Sequence, residues 1–244
     1  MITMIKAVLF DLDNTLIDFM TMKNECCAAA IDAMRSEGLK IEREEAIGIL
    51  FEMFDVHGIE HPEIFQMFIE KVNGKVDYKM LAEGVVAYRR AQGRYRKPYS
   101  DVVPVLEKLR TAGLKLGIVS DAPSQKAWIR LVELGIQDYF DVVVTLGDTG
   151  ELKPYPLPFR KALDMLKIQS NEILFVGDKP ERDIAGAKSV GMKTVFARYG
   201  FQTRVGNATK PKPAKGESGA DYEIEEFSDL LGLAEPVEVS QREL

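Results

Sequence analysis

Cysteine and histidine are almost missing from this chain: two of each among 244 residues. Cys26 and Cys27 are neighbours, and adjacent cysteines rarely bridge each other without strain. A disulfide framework or a cysteine zinc site therefore has no basis. The run Cys-Cys-Ala-Ala-Ala-Ile reads as helix with small packed side chains. His57 and His61 are four apart, but Gly58 and Pro62 interrupt the helix between and after them, so they read as surface or turn positions. No apolar run approaches the roughly 20 residues of a membrane span. Positive charge is also short: 32 Lys and Arg against 38 Asp and Glu give a net charge of -6. That argues against a nucleic-acid backbone as partner, yet leaves small anionic substrates open, because the field in a pocket can oppose the net charge. A strand begins within a few residues of the N-terminus, which leaves no room for a signal segment; the cytoplasm is the expected location.

What is present is more informative. The length suits one large domain with an insertion, and a hydrophobic content of 46% supports a well-buried interior. Residues 7–10, Ala-Val-Leu-Phe, read as a short buried strand of a parallel sheet. It runs into Asp11 and Asp13, with a hydroxyl at Thr15. If extended geometry continues through Leu12, both carboxylates point to one side. Two such anions repel unless a cation or proton is shared, and strand carboxyl ends are where open α/β sheets bind ligands. A metal-assisted site with a nucleophilic Asp is the chemistry this suggests.

From residue 20 to about 94 the pattern is helical only. Apolar stripes predict helices over 24–36, 43–56, 62–72 and 78–92, four amphipathic segments able to bury their stripes against one another. From residue 99 the pattern alternates. Helices are expected over 102–111, 124–134, 156–166 and 183–190, and strands over 114–119, 142–145, 173–176 and 193–196. Residues 204–218, poor in apolar side chains, predict an exposed loop. Residues 220–224 suggest an edge strand, and 227–233 a terminal helical turn or two. The resulting architecture is an α/β core with a Rossmann-like parallel sheet flanked by helices. Its domains are 1–18 with 96–234 as core, 19–95 as an inserted four-helix cap, and 235–244 as a frayed tail.

Polar residues recur at strand ends. The strand over 114–119 ends at Ser120 and Asp121; that over 173–176 ends at Gly177 and Asp178, with Asp183 five residues further on. Lys153 lies between them in Gly150-Glu-Leu-Lys-Pro, before a helix. Singly, Ser120 reads as a cap, Lys153 as a solvated side chain and Asp183 as a first-turn residue.

Taken in order, these residues resemble the haloacid-dehalogenase-like superfamily. Asp11-Leu-Asp-Asn-Thr15 is similar to its first motif, Ser120 to the second, Lys153 with Pro154 to the third, and Gly177-Asp178 with Asp183 to the fourth. The insertion resembles the helical cap of type I members. The resemblance implies an aspartyl-phosphate on Asp11, with Asp13 protonating the leaving alcohol and then deprotonating water. It implies Mg²⁺ held by Asp11, Asp178 and the main-chain carbonyl of Asp13. Ser120, Asp121 and Lys153 would contact the phosphate, with Lys153 also offsetting charge on Asp11. Asp183 would anchor Lys153 and metal-bound water, and Thr15 would shape the nucleophile loop.

Family dehalogenases attack carbon without Mg²⁺ and generally lack the second Asp of the first motif; Asp13 therefore favours phosphate ester hydrolysis. The expected protein is a phosphoric monoester hydrolase for a small phosphorylated metabolite, such as glyceraldehyde 3-phosphate or phosphoglycolate. A phosphomutase and a catalytically weak regulatory protein on the same fold are the alternatives. The cap is expected to cover the site, with hinges over 18–21 and 93–99. Arg94, Arg96 and Lys97 form either a solvated linker or a cluster meeting an incoming phosphate. The chain is expected as monomer or homodimer, with no nucleic-acid or membrane partner.

Overall fold

Hydrophobic strands that can be buried on both faces set the centre of the first unit. The computed structural model describes residues 4–202, 204–205, 208–209 and 211–234. Strand β1 (Ala7–Phe10) is wholly buried. Next in the chain come helices α1 (Phe19–Ser36), α2 (Arg43–His57), α3 (Ile64–Asn73) and α4 (Tyr78–Tyr95). Then follow α5 (Val102–Thr111), β2 (Lys115–Val119), α6 (Ser124–Leu134), β3 (Val142–Val144), α7 (Leu146–Thr149) and α8 (Pro156–Leu166). The remainder is β4 (Ile173–Gly177), α9 (Ala185–Ser189), β5 (Lys193–Ala197), a small ladder of β6 (Arg204–Val205) and β7 (Ala208–Thr209), β8 (Tyr222–Ile224) and α10 (Leu231–Ala234). No helix among the described residues is long and apolar enough to cross a membrane.

The chain forms two compact units. One comprises Met1–Asp18, Pro98–Phe201 and Pro213–Leu244; the other comprises Phe19–Lys97 and Gln202–Lys212. In the first, six parallel strands form a sheet of order β3-β2-β1-β4-β5-β8. The order reverses at β1, the switch point where such sheets open a crevice at their carboxyl ends. Register aligns the tips: Phe10 is paired with Ile118 on one side and Val176 on the other. The ladder then continues one step into the loops, Asp11 N donating to Val176 O at 2.9 Å and Ser120 N to Val144 O at 2.9 Å. Below the tips, Leu9, Val119, Phe159 and Phe175 belong to one buried cluster, with the two rings edge-to-face at 5.0 Å.

The second unit is the helical one. Helix α1 buries Met22, Cys26, Ala30 and Met34 with their neighbours Lys23, Cys27 and Ile31, the i, i+3, i+4 stripe of an amphipathic helix. Both cysteines are free thiols, and burial pushes them up, to about 11 for Cys26 and about 12 for Cys27. Lys23 is buried with them. Its Nζ donates to Ile59 O at 2.9 Å and lies 4.1 Å from the centroid of Phe54, so a charge in an apolar interior has partners.

Some boundaries differ from the sequence reading. Helix α1, expected from residue 24, begins at Phe19. Part of the expected loop over 204–218 is the β6–β7 ladder. The helix expected over 183–190 is α-helical only over Ala185–Ser189; its start belongs to a π-helical turn, Pro180–Ile184, where Ile184 N donates to Lys179 O at 3.4 Å. The frayed tail expected at 235–244 lies outside the described residues.

Candidate active site

Asp11 stands at the tip of β1 and is 1% exposed. Its Oδ1 accepts from Lys153 Nζ at 2.6 Å, while its Oδ2 has no hydrogen-bond partner among the described residues. Lys153 comes from the loop before α8 and is fully buried. Its ammonium also donates to Val119 O at 3.0 Å and lies 2.7 Å from Asp183 Oδ1. Burial opposes that charge, but Asp11 and Asp183 outweigh it and hold the lysine above its ordinary value.

Asp178, one residue past β4, is 0% exposed, and neither of its carboxylate oxygens has a hydrogen-bond partner among the described residues. Burial pushes it well above the ordinary carboxylate range, with the charges of Asp183 and Asp11 adding to the effect. Burial lifts Asp11 too, against the pull of Lys153. Asp183 moves the other way: burial would raise it, but Lys153 and Arg182 hold it low. Its Oδ2 accepts from Lys179 N at 3.0 Å. Gly177 makes this packing possible, since a Cβ there would meet the Asp183 Cγ at 2.7 Å. Asp11, Asp178 and Asp183 each offer one oxygen within 4.8 Å of the others. Three buried carboxylates, with three unbonded oxygens on Asp11 and Asp178, are a hard oxygen donor set that suits Mg²⁺.

The other expected residues have different neighbours. The Asp13 Oδ2 lies 3.3 Å from an Arg130 guanidinium nitrogen, with the arginine almost wholly buried. Thr15 is buried, and its hydroxyl has no hydrogen-bond partner among the described residues. The loop is tied instead through main-chain groups. Asn14 N donates to Ile17 O at 2.7 Å, Tyr99 N to Leu16 O at 3.1 Å, and the Tyr199 hydroxyl to Thr15 O at 2.8 Å. Gly200 approaches this loop so closely that a Cβ would overlap the Asn14 carbonyl oxygen. Ser120 is buried, its Oγ accepting from Ala122 N at 3.2 Å. Asp121 has both oxygens occupied: Oδ1 accepts from Lys153 N at 2.9 Å, and Oδ2 lies 3.1 Å from Arg182 Nη1.

Arg130, Arg182, Tyr99 and Tyr199 were not singled out by sequence. Arg182 had one signal, its place beside Asp183 in the polar segment after β4. Arg130 and the tyrosines had none, since a basic residue on a helix or a tyrosine in a connecting segment is ordinary.

The sequence model of the haloacid dehalogenase-like hydrolases matches residues 8–197. A glyceraldehyde 3-phosphate phosphatase of Methanopyrus kandleri is 36% identical over 232 residues, 94% of this chain and 97% of that one. One of Pyrococcus abyssi is 34% identical over 241 residues, 99% and 98% of the two chains. Among solved structures, a haloacid dehalogenase-like phosphatase from Thermococcus onnurineus superposes with a TM-score of 0.64 at 30% identity, covering 94% of this chain and 97% of its own. With its strand-tip carboxylates, buried lysine and parallel sheet, this chain belongs to the haloacid dehalogenase-like hydrolase family.

Proposed function

We propose that the chain is a Mg²⁺-dependent phosphatase that hydrolyses the monoester of a small phosphorylated metabolite, with Asp11 as nucleophile. One observation carries this reading: at a single set of strand tips, Asp11 is tied through one oxygen and open at the other, beside Asp178 with both oxygens open. Glyceraldehyde 3-phosphate is the first substrate to test, given the names of the two archaeal relatives.

In this mechanism Lys153 fixes Asp11 through Oδ1, so that Oδ2 faces the phosphorus. Asp11 Oδ2 forms the new O–P bond as the ester O–P bond breaks, giving an aspartyl-phosphate; Asp13 delivers its proton to the departing alkoxide. Asp13 then takes a proton from water, whose oxygen attacks phosphorus and releases Asp11 and inorganic phosphate. Arg130, with a guanidinium nitrogen 3.3 Å from Asp13 Oδ2, would hold that side chain in place for both proton transfers. Asp11, Asp178 and the Asp13 carbonyl would hold Mg²⁺. Bound there, the ion would offset the repulsion between an anionic nucleophile and an anionic ester. Asp183 is engaged with Lys153 and Lys179 N, which suits an anchoring role. Both Asp121 oxygens face cationic or N–H donors, so a phosphate would meet this residue through its main chain.

The test is phosphate release from a panel containing glyceraldehyde 3-phosphate, phosphoglycolate and inorganic pyrophosphate, with Mg²⁺ or with chelator. Mg²⁺-dependent release that disappears in Asp11→Asn, with the fold retained by circular dichroism, is expected. Turnover by Asp11→Asn near the parent value would refute the nucleophile, and isomerised esters without free phosphate would indicate a mutase.

A further inference from the structure

The geometry points to Arg182 as a second cationic side chain, beside Lys153, that grips the transferring phosphoryl group. The inference rests on the phosphatase reading above and adds a residue to it.

An ammonium has three hydrogens to donate. Lys153 Nζ donates to Asp11 Oδ1 at 2.6 Å and Val119 O at 3.0 Å, and its charge lies 2.7 Å from Asp183 Oδ1. With two hydrogens bonded and the side chain 0% exposed, the lysine can give an arriving anion at most one bond. A phosphoryl group has more oxygens to satisfy than one such bond can reach.

Arg182 is differently placed. It rises from the π-helical turn Pro180–Ile184, and its side chain is 25% exposed, so it reaches solvent. Its Nη1 is 3.1 Å from Asp121 Oδ2. The other approaches are longer than hydrogen bonds: Nη2 to Asp11 Oδ2 at 3.7 Å and Nε to Asp183 Oδ1 at 3.7 Å. Nε is buried without a hydrogen-bond partner. A guanidinium carries five donors in a planar fork that matches phosphate oxygens two at a time. Here that fork has unused donors and stands beside Asp11 Oδ2, the oxygen left open for attack. Asp121 aims it, since Asp121 is itself fixed through Oδ1 by Lys153 N.

The test compares wild type with Arg182→Gln and Arg182→Lys at saturating Mg²⁺. The affinity for inorganic phosphate is read by calorimetry, and KM and kcat from phosphate release. The Gln variant is expected to bind phosphate about tenfold to a hundredfold more weakly, the range for losing charge-assisted bonds, with KM rising in parallel. The Lys variant recovers part of that loss, because a point charge replaces the fork. A purely structural ion pair would move the melting temperature and leave phosphate affinity alone. Phosphate affinity within twofold of wild type in both variants would overturn the inference while leaving the phosphatase reading intact. A wild type that neither hydrolyses esters nor binds phosphate would overturn both.

Discussion

Replacing Asp178 by Asn should change the stability of this protein in opposite directions with and without metal. The carboxylate is fully buried and neither oxygen is hydrogen-bonded, while Asp11 and Asp183 bring like charges within 4.8 Å. At an effective dielectric constant of about 20, two unit charges at that distance repel by about 3.5 kcal/mol. Lys153 and Arg182 offset part of it, and the Asn amide is itself left unbonded. A net gain of about 1–2 kcal/mol is expected for Asp178→Asn in chelator at pH 7. With Mg²⁺ at 100 times its dissociation constant, the wild type gains about 2.7 kcal/mol by mass action. The variant gains little, so the order inverts.

The pH dependence has a definite sign. Because burial raises the Asp178 carboxyl, the folded state holds its proton after the unfolded chain has lost it near pH 3.9. Metal-free stability from this group is therefore present below that pH and falls as pH rises through the folded value. The Asn variant lacks that slope. Urea denaturation at pH 5 and 7, in chelator and in Mg²⁺, measures all of this. An Asn variant less stable than wild type in chelator, or equal stabilisation of both proteins by Mg²⁺, would refute the reasoning.

Three further outcomes are expected. Lys153→Met strands two buried carboxylates and should cost about 3–5 kcal/mol by urea denaturation, together with turnover; a loss below about 1 kcal/mol would contradict the ion-pair geometry. Gly200→Ala must displace the nucleophile loop at the Asn14 carbonyl. It should cost about 1–3 kcal/mol of stability and about tenfold or more in kcat, and unchanged kinetics would show that the loop position is unimportant. In Asp141, burial raises the carboxyl, but Lys115, Leu116 N and Arg110 outweigh it and hold it low. The stability advantage over Asp141→Asn should be complete above about pH 3.9 and vanish as pH falls through the folded value; a difference that persists at pH 2 would contradict this.

The sequence by itself determined the alternation of strands and helices, because burial at a period of two or 3.6 residues is a local property of the chain. Residues 7–10 were legible as β1 for that reason, and the stripes at 24–36 and 78–92 as parts of α1 and α4. It also supplied the chemical inventory of the strand tips: Asp11, Asp13, Ser120, Lys153, Asp178 and Asp183. The π-helical turn and the β6–β7 ladder were not legible, since each depends on one or two residues with no period to read. Nor was the role of each donor. Lys153 and Asp11 are 142 residues apart in the chain and 2.6 Å apart in space. Only the tertiary structure decided that the lysine bonds Asp11 and Val119 O, that both Asp178 oxygens are left open, and that Arg182 stands over Asp11 with donors unused. Hydrogen-bond saturation is a count over neighbours in space, and those neighbours come from strand tips and loops that the folded sheet brings together.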